Sequence, residues 1–213
     1  RLKPFLENEY ELIHVSIPHT QDFDEIIDIL FNFFEDEKVN LLGFSLGGYI
    51  ASYFAVTYPN KVNKLFTVAS TPGSSTEAEI ERRKEKFAII EKEGFVGLSY
   101  EKAKSLVEEQ NQNDEELIKI IQDMFIDLGK DTFITQLTST FYRKDLYEEL
   151  VNIAIPIWFY YSVNDRLLNQ KSIKRLLETQ HNIKLISRVG TSHNIPLEVP
   201  ELLSNEIKKW MKV

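Results

Sequence analysis

A hexapeptide, Gly43-Phe44-Ser45-Leu46-Gly47-Gly48, constrains this chain more than any other stretch. It follows a short apolar run, Val39 to Leu42, and precedes Tyr49-Ile50-Ala51-Ser52-Tyr53-Phe54-Ala55, whose composition suits a buried helix. A strand feeding straight into a helix needs a very tight turn, and glycines two before and two after a serine let the backbone make it without Cβ clashes. The serine is then held out at the tip. A glycine-rich turn that merely joins two elements has the same composition, and Gly-x-Ser-x-Gly arises by chance in roughly one chain in ten of this size. The motif therefore predicts a nucleophile only together with an acid and a histidine that follow later strands, in that order.

The flanking pattern supplies the sheet. Tyr10 to Ile17 reads as a strand ended by Pro18, and Asp22 to Phe34 as a helix with apolar residues at 23, 26, 27, 30, 33 and 34 and acids in its first turn. After the serine turn and its helix, closed by Pro59-Asn60, Lys64 to Ser70 is the next strand. Strands alternating with helices predict an α/β fold, a mostly parallel sheet covered on both faces. The sheet resumes with Ile155 to Tyr161, a helix over Gln170 to Gln180, a strand over Ile183 to Val189, and a closing helix, Pro200 to Met211, that buries Leu202, Leu203, Ile207 and Trp210.

Between Thr71 and about Asn152 strand-like runs vanish and helical periods take over. Thr76-Glu77-Ala78-Glu79 is a capping box for a helix ending near Gly94, and a second helix spans Tyr100 to Gln110. Asp114 to Leu128 carries Leu117, Ile120, Ile121, Met124, Phe125 and Leu128 on one stripe, with Gly129 past its end; Phe133 to Phe141 and Asp145 to Leu150 add two shorter helices. The expected organisation is a core formed by residues 1–70 and 153–213 with an all-helical cap, residues 71–152, inserted before the strand that carries the acid. Helices packed on the side of the sheet are the alternative.

In a parallel sheet every strand's carboxyl end lies on one edge, so the loops holding Ser45, Asp165 and His193 come to the same rim. Their order suits a mechanism in which histidine removes the serine proton as the hydroxyl attacks a carbonyl, while aspartate fixes the imidazole tautomer and stabilises the imidazolium. The backbone N–H of Leu46, at the start of the following helix, is one oxyanion donor. Asp165 could instead shape a turn with Asn164, and His193 could be a loop histidine bonded to backbone. His14, in a strand, His19, in a loop, and His181, at a helix end, read as structural.

The formal net charge of -8 argues against a binder of nucleic acid, and the basic cluster Arg82-Arg83-Lys84 is interleaved with Glu81 and Glu85 as on a solvated helix face. The absence of cysteine excludes disulfides and thiolate metal sites. No spacing implies a metal or organic cofactor, and no apolar run approaches the roughly 20 residues of a transmembrane helix. A cytoplasmic location is the expectation.

Taken with Tyr58-Pro59-Asn60-Lys61-Val62, Glu93-Gly94-Phe95, Arg143-Lys144-Asp145-Leu146, Ile155-Pro156 with Asn164-Asp165, and His193 to Glu201, the hexapeptide makes the chain resemble the α/β-hydrolase superfamily, specifically small bacterial members with a helical cap. Leu46 to Ser70 also looks like the pimeloyl-carrier methyl-ester esterases. The resemblance implies Ser45 as nucleophile, Asp165 as triad acid, His193 as base and Leu46 as oxyanion donor. Relatives often carry His or Trp at Phe44 and Gly at Ser192. In the family's strand order an interior strand with the second oxyanion donor lies between the strands at Tyr10 and Val39, so a stretch of roughly 20 to 30 residues before Arg1 is expected to carry both.

The expected activity is cleavage of a carboxylic ester or thioester of a small to medium apolar acyl substrate through an acyl-enzyme. Phe44 beside the nucleophile and the cap aromatics Phe87, Phe95, Phe125, Phe133, Phe141 and Tyr142 are candidate pocket walls, although aromatics at helical spacing also build a cap core. The alternatives are a non-catalytic relative that binds a ligand or partner, and an acyl transferase or perhydrolase on the same three residues.

Overall fold

The computed structural model of the protein describes residues 1–178 and 183–213. His181 and the last two residues of the helix expected over Gln170 to Gln180 lie outside the described residues. Among those described, four strands, β1 (Val39–Phe44), β2 (Val62–Val68), β3 (Ile157–Ser162) and β4 (Ile183–Arg188), form one sheet in the order β1-β2-β3-β4 with every pair parallel. This is the expected α/β architecture. Parallel neighbours need crossovers, which α2 (Leu46–Thr57) supplies between β1 and β2 and α8 (Gln170–Glu178) between β3 and β4; α1 (Phe23–Phe33) precedes the sheet.

The strands sort their side chains by the two-residue period of the pleat. Leu65, Ile157, Phe159 and Tyr161 face a core built with Phe23, Ile26 and Ile27 of α1, Tyr49 and Phe54 of α2, and Ile173 and Leu176 of α8. Phe66, Val68, Trp158 and Tyr160 face the opposite core, closed by Leu6, by Ile195 of α9 (Ile195–Glu198) and by Leu203, Ile207 and Trp210 of α10 (Pro200–Met211). All six residues of β3 are buried, as a central parallel strand covered on both faces requires.

Five helices lie between β2 and β3: α3 (Glu77–Glu93), α4 (Tyr100–Lys104), α5 (Glu115–Leu128), α6 (Lys130–Ser139) and α7 (Tyr147–Asn152). The capping box that opens α3 is present in both directions, with Thr76 N–H on the Glu79 carboxylate at 2.7 Å and Glu79 N–H on Thr76 Oγ1 at 3.3 Å. Ala103, Val107, Leu117, Ile118 and Ile121 give these helices a small core of their own. Among the described residues no helix is long and apolar enough to cross a membrane.

Several expectations need correction. Tyr10 to Ile17 forms no strand: the segment has no regular secondary structure and Ile13 is 65% exposed. Its β-favouring side chains find no paired neighbour, and strand preference is realised only through pairing and burial. The helix expected over Tyr100 to Gln110 stops at Lys104, because Glu108 N–H is donated to the Glu198 carboxylate at 2.7 Å instead of to a carbonyl one turn back. The buried stripe of α5 is rotated by part of a turn, so that Ile118 is fully buried while Met124 is 46% exposed. In α10, Leu202 likewise points outward at 54% exposure, and Ser204 takes the buried position.

Candidate active site

Ser45 sits at the turn from β1 into α2 with φ 51° and ψ -116°, a strained conformation for a residue with a side chain. Its N–H extends the β ladder to Val68 O at 2.9 Å, while its carbonyl accepts from Gly48 N–H at 3.0 Å and so starts the helix. The turn closes only because two glycines lack a side chain. A Cβ on Gly43 would stand 2.4 Å from the Gly47 carbonyl oxygen, and one on Gly48 would stand 2.5 Å from Ser70 Cβ. The glycine two residues after the serine is not the one that the turn requires, since a Cβ on Gly47 meets nothing within 4 Å. The close approach is one residue later, against the loop after β2.

Register puts the other two candidates on the same edge, since Phe44 pairs with Val68, Val68 with Tyr160, and Ser162 with Arg188. Asp165 follows β3 and its side chain is wholly buried. Its two oxygens divide the two roles considered for it: Oδ1 accepts from Leu167 N–H at 2.8 Å and fixes the turn, while Oδ2 lies 2.7 Å from His193 Nδ1. His193 Nε2 lies 2.9 Å from Ser45 Oγ. With the carboxylate on Nδ1, the neutral tautomer that carries its proton there leaves Nε2 free to accept the serine proton. Serine, imidazole and carboxylate thus form one continuous hydrogen-bonded chain, the arrangement that activates a hydroxyl towards a carbonyl.

Leu46 is the first residue of α2, so its N–H has no intrahelical acceptor and stands at the positive end of the helix. Phe44 covers the imidazole, with ring centroids 5.4 Å apart. The other aromatic candidates are not brought to that ring: Phe95 and Phe125 each pack on Phe133, at 5.3 and 5.9 Å, with the Lys86 ammonium over the Phe125 and Phe133 rings. Phe141 contacts Tyr142, which is 70% exposed. Phe87 makes none of these ring contacts among the described residues. His19 Nε2 lies 3.2 Å from Thr135 Oγ1, and the described residues contain no group of His and carboxylate side chains able to hold a metal ion.

Sequence reasoning missed the polar network that holds the histidine loop. Glu108, between α4 and α5, reaches across to the segment after β4 and is buried there. Its Oε1 accepts from Thr191 N–H at 2.7 Å, Ser192 N–H at 3.0 Å and Arg188 Nη1 at 2.8 Å, and its Oε2 accepts from Arg188 Nη2 at 3.0 Å. These donors hold the Glu108 carboxyl down at about 2, the Arg188 bonds most of all, against the opposing push of burial. Arg188 also donates to Ser162 Oγ, which donates to Ser192 O, while Ser192 Oγ bonds Glu198. Gly190 leaves the room: a Cβ there would stand 2.1 Å from Glu108 Oε1, and its φ of 142° disfavours a side chain as well. The one available sequence signal was Ser192 where relatives often have glycine, because a buried hydroxyl demands a partner.

A parallel sheet with a strand–turn–helix nucleophile position and an acid and a histidine on the same carboxyl edge defines an α/β-hydrolase. The comparisons agree. A family model described as serine aminopeptidase, S33, matches residues 18–200, and the chain belongs to that hydrolase family. A putative 2-succinyl-6-hydroxy-2,4-cyclohexadiene-1-carboxylate synthase of Bacillus subtilis is 26% identical over 200 residues, covering 89% of this chain and 70% of that one. A pimeloyl-[acyl-carrier protein] methyl ester esterase of Vibrio campbellii is 39% identical over 64 residues, which are 30% of this chain and 25% of that one. Among solved structures, an esterase of Thermogutta terrifontis superposes with a TM-score of 0.78 at 20% identity, over 93% of this chain and 75% of its own.

Proposed function

We propose that this chain is a serine hydrolase that cleaves carboxylic esters or thioesters through an acyl-enzyme. The observation that carries the reading is the hydrogen-bonded run from Ser45 Oγ through His193 to Asp165, at 2.9 and 2.7 Å, on the carboxyl edge of the sheet. In the proposed cycle His193 Nε2 takes the proton of Ser45 Oγ as that oxygen attacks the ester carbonyl, and Asp165 stabilises the imidazolium. Leu46 N–H stabilises the oxyanion from the start of α2. The imidazolium returns its proton to the leaving oxygen or sulfur, and water then repeats the sequence on the acyl-serine. In this reading residues 71–152 are a cap and Phe44 shields the imidazole. The names of the relatives support acyl and ester chemistry: one is a methyl ester esterase, another an esterase.

The test is a panel of p-nitrophenyl esters and acyl thioesters of graded chain length. Turnover by the wild-type chain, lowered by about 10⁴-fold or more in Ser45→Ala, is expected. Equal turnover by the two proteins would place the reaction elsewhere.

A further inference from the structure

Arg143, in the short stretch between α6 and α7, is a cation without a carboxylate. It forms no ion pair within 4.0 Å and no hydrogen bond among the described residues, and its Nε is shut off from solvent with no acceptor. Its guanidinium lies over the face of Tyr49, 4.4 Å from the ring centroid. That ring is itself fixed: Tyr49 OH donates to Lys144 O at 3.1 Å and accepts from Lys144 N–H at 2.8 Å. Tyr49 stands four residues after Ser45, on the same face of α2 one turn along, so the cation borders the helix that starts at the proposed nucleophile.

The surroundings add positive charge. Arg83 of α3 donates to Ser75 Oγ at 2.6 Å, and Ser75 Oγ donates to Thr140 O at 2.7 Å, which ties the loop after β2 to the turn that leads into Arg143. Arg83 and Arg143 repel one another, and burial together with that repulsion pushes the Arg143 guanidinium down to about 10. Glu79 is the acid that attracts both, but it forms no ion pair within 4.0 Å of either guanidinium among the described residues, and its Oε2 is held by Thr76 N–H at 2.7 Å and Thr76 Oγ1 at 2.9 Å. Arg143 is half-buried with its Nε closed off, and partial burial of a charge already has a cost unless it is paired; a planar guanidinium presents the fork that a carboxylate or phosphate fills.

We propose that Arg143, supported by Arg83, is an anion subsite, and that the substrate carries a carboxylate or similar anionic group at the end of the acyl chain away from the scissile bond. This rests on the hydrolase reading for the position of that bond. A hemiester of a dicarboxylic acid is then a better substrate than the neutral ester of equal length.

The experiment compares monomethyl adipate and monomethyl suberate with methyl hexanoate and methyl octanoate, following acid release in a pH-stat. It also measures the shift in Tm caused by adipate and by hexanol. Wild-type kcat/KM is expected to favour the hemiesters by about tenfold or more, mainly through KM, as for a charge-assisted bidentate contact. That ratio is expected to collapse in Arg143→Met and to survive in part in Arg143→Lys. Adipate, but not hexanol, is expected to raise the Tm of wild type and not that of Arg143→Met. No hemiester preference in wild type, or an undiminished one in a folded Arg143→Met, overturns the subsite while leaving the hydrolase reading intact. If neither ester class is turned over, methyl esters are not substrates, and the adipate shift still decides the subsite: an Arg143-dependent rise sustains it and no rise removes it.

Discussion

Two charges contributed from between β2 and β3, Glu108 buried and Arg143 half-buried, are treated in opposite ways. Glu108 receives five hydrogen bonds, from one guanidinium, two backbone amides and the Gln110 side-chain amide, and its carboxyl is held down at about 2. Arg143 has an aromatic face and no acceptor, and its guanidinium is pushed down to about 10. A charge surrounded by complementary partners in the free protein is part of the scaffold, because its desolvation is already offset. A charge left with a ring face alone is stabilised further by an anion that arrives. The first charge ties the insertion to the loop of His193; the second is free to meet a substrate.

The contrast predicts stability effects of opposite character. Glu108→Ala leaves Arg188 buried without its carboxylate and is expected to cost about 3–5 kcal/mol in chemical denaturation, with loss of activity as the His193 loop loosens. Glu108→Gln separates charge from shape. The carboxyl is lowered from 4.5 to about 2, so its contribution, about 3 kcal/mol, is complete above the unfolded value and fades as pH falls towards the folded one. The gap in stability between wild type and Glu108→Gln should therefore close between pH 4.5 and pH 2. Gly190→Ala forces the same contact apart from the other side and is expected to cost about 1–3 kcal/mol, with kcat reduced. Arg143→Met removes an unpaired charge, and its stability is expected within about 1 kcal/mol of wild type, on either side. A loss at Arg143 as large as that at Glu108 would erase the distinction.

What the sequence revealed follows from how local each determinant is. The α/β alternation was legible because apolar runs such as Ile157 to Tyr161 are buried on both faces and need no partner to be recognised. Ser45, Asp165 and His193 could be placed on one rim because parallel strands share a carboxyl edge whatever their exact register. The phase of a helical stripe is less secure. Ile118 and Met124, or Leu202 and Ser204, exchange places under a rotation of part of a turn, and only the neighbouring helix fixes that rotation. Tyr10 to Ile17 has the composition of a strand, but pairing is not encoded in the segment itself. The Glu108 network was illegible for a stronger reason: Glu108 stands 80 to 90 positions from the partners it meets after β4, and one glutamate among many carries no local mark. Arg143 was read as part of a recurrent motif, with no sign that it would lack a partner.

The central claim is that Ser45 is the nucleophile, and active-site labelling tests it most directly. The wild-type chain treated with a fluorophosphonate should gain one phosphonyl group by intact mass, mapped by peptide sequencing to Ser45, and Ser45→Ala should gain none. His193→Ala should label far more slowly than wild type, since the imidazole 2.9 Å from Ser45 Oγ is gone. A wild-type chain that stays unlabelled under conditions that label a known serine esterase, or a Ser45→Ala variant that labels as fast as wild type, would contradict the account.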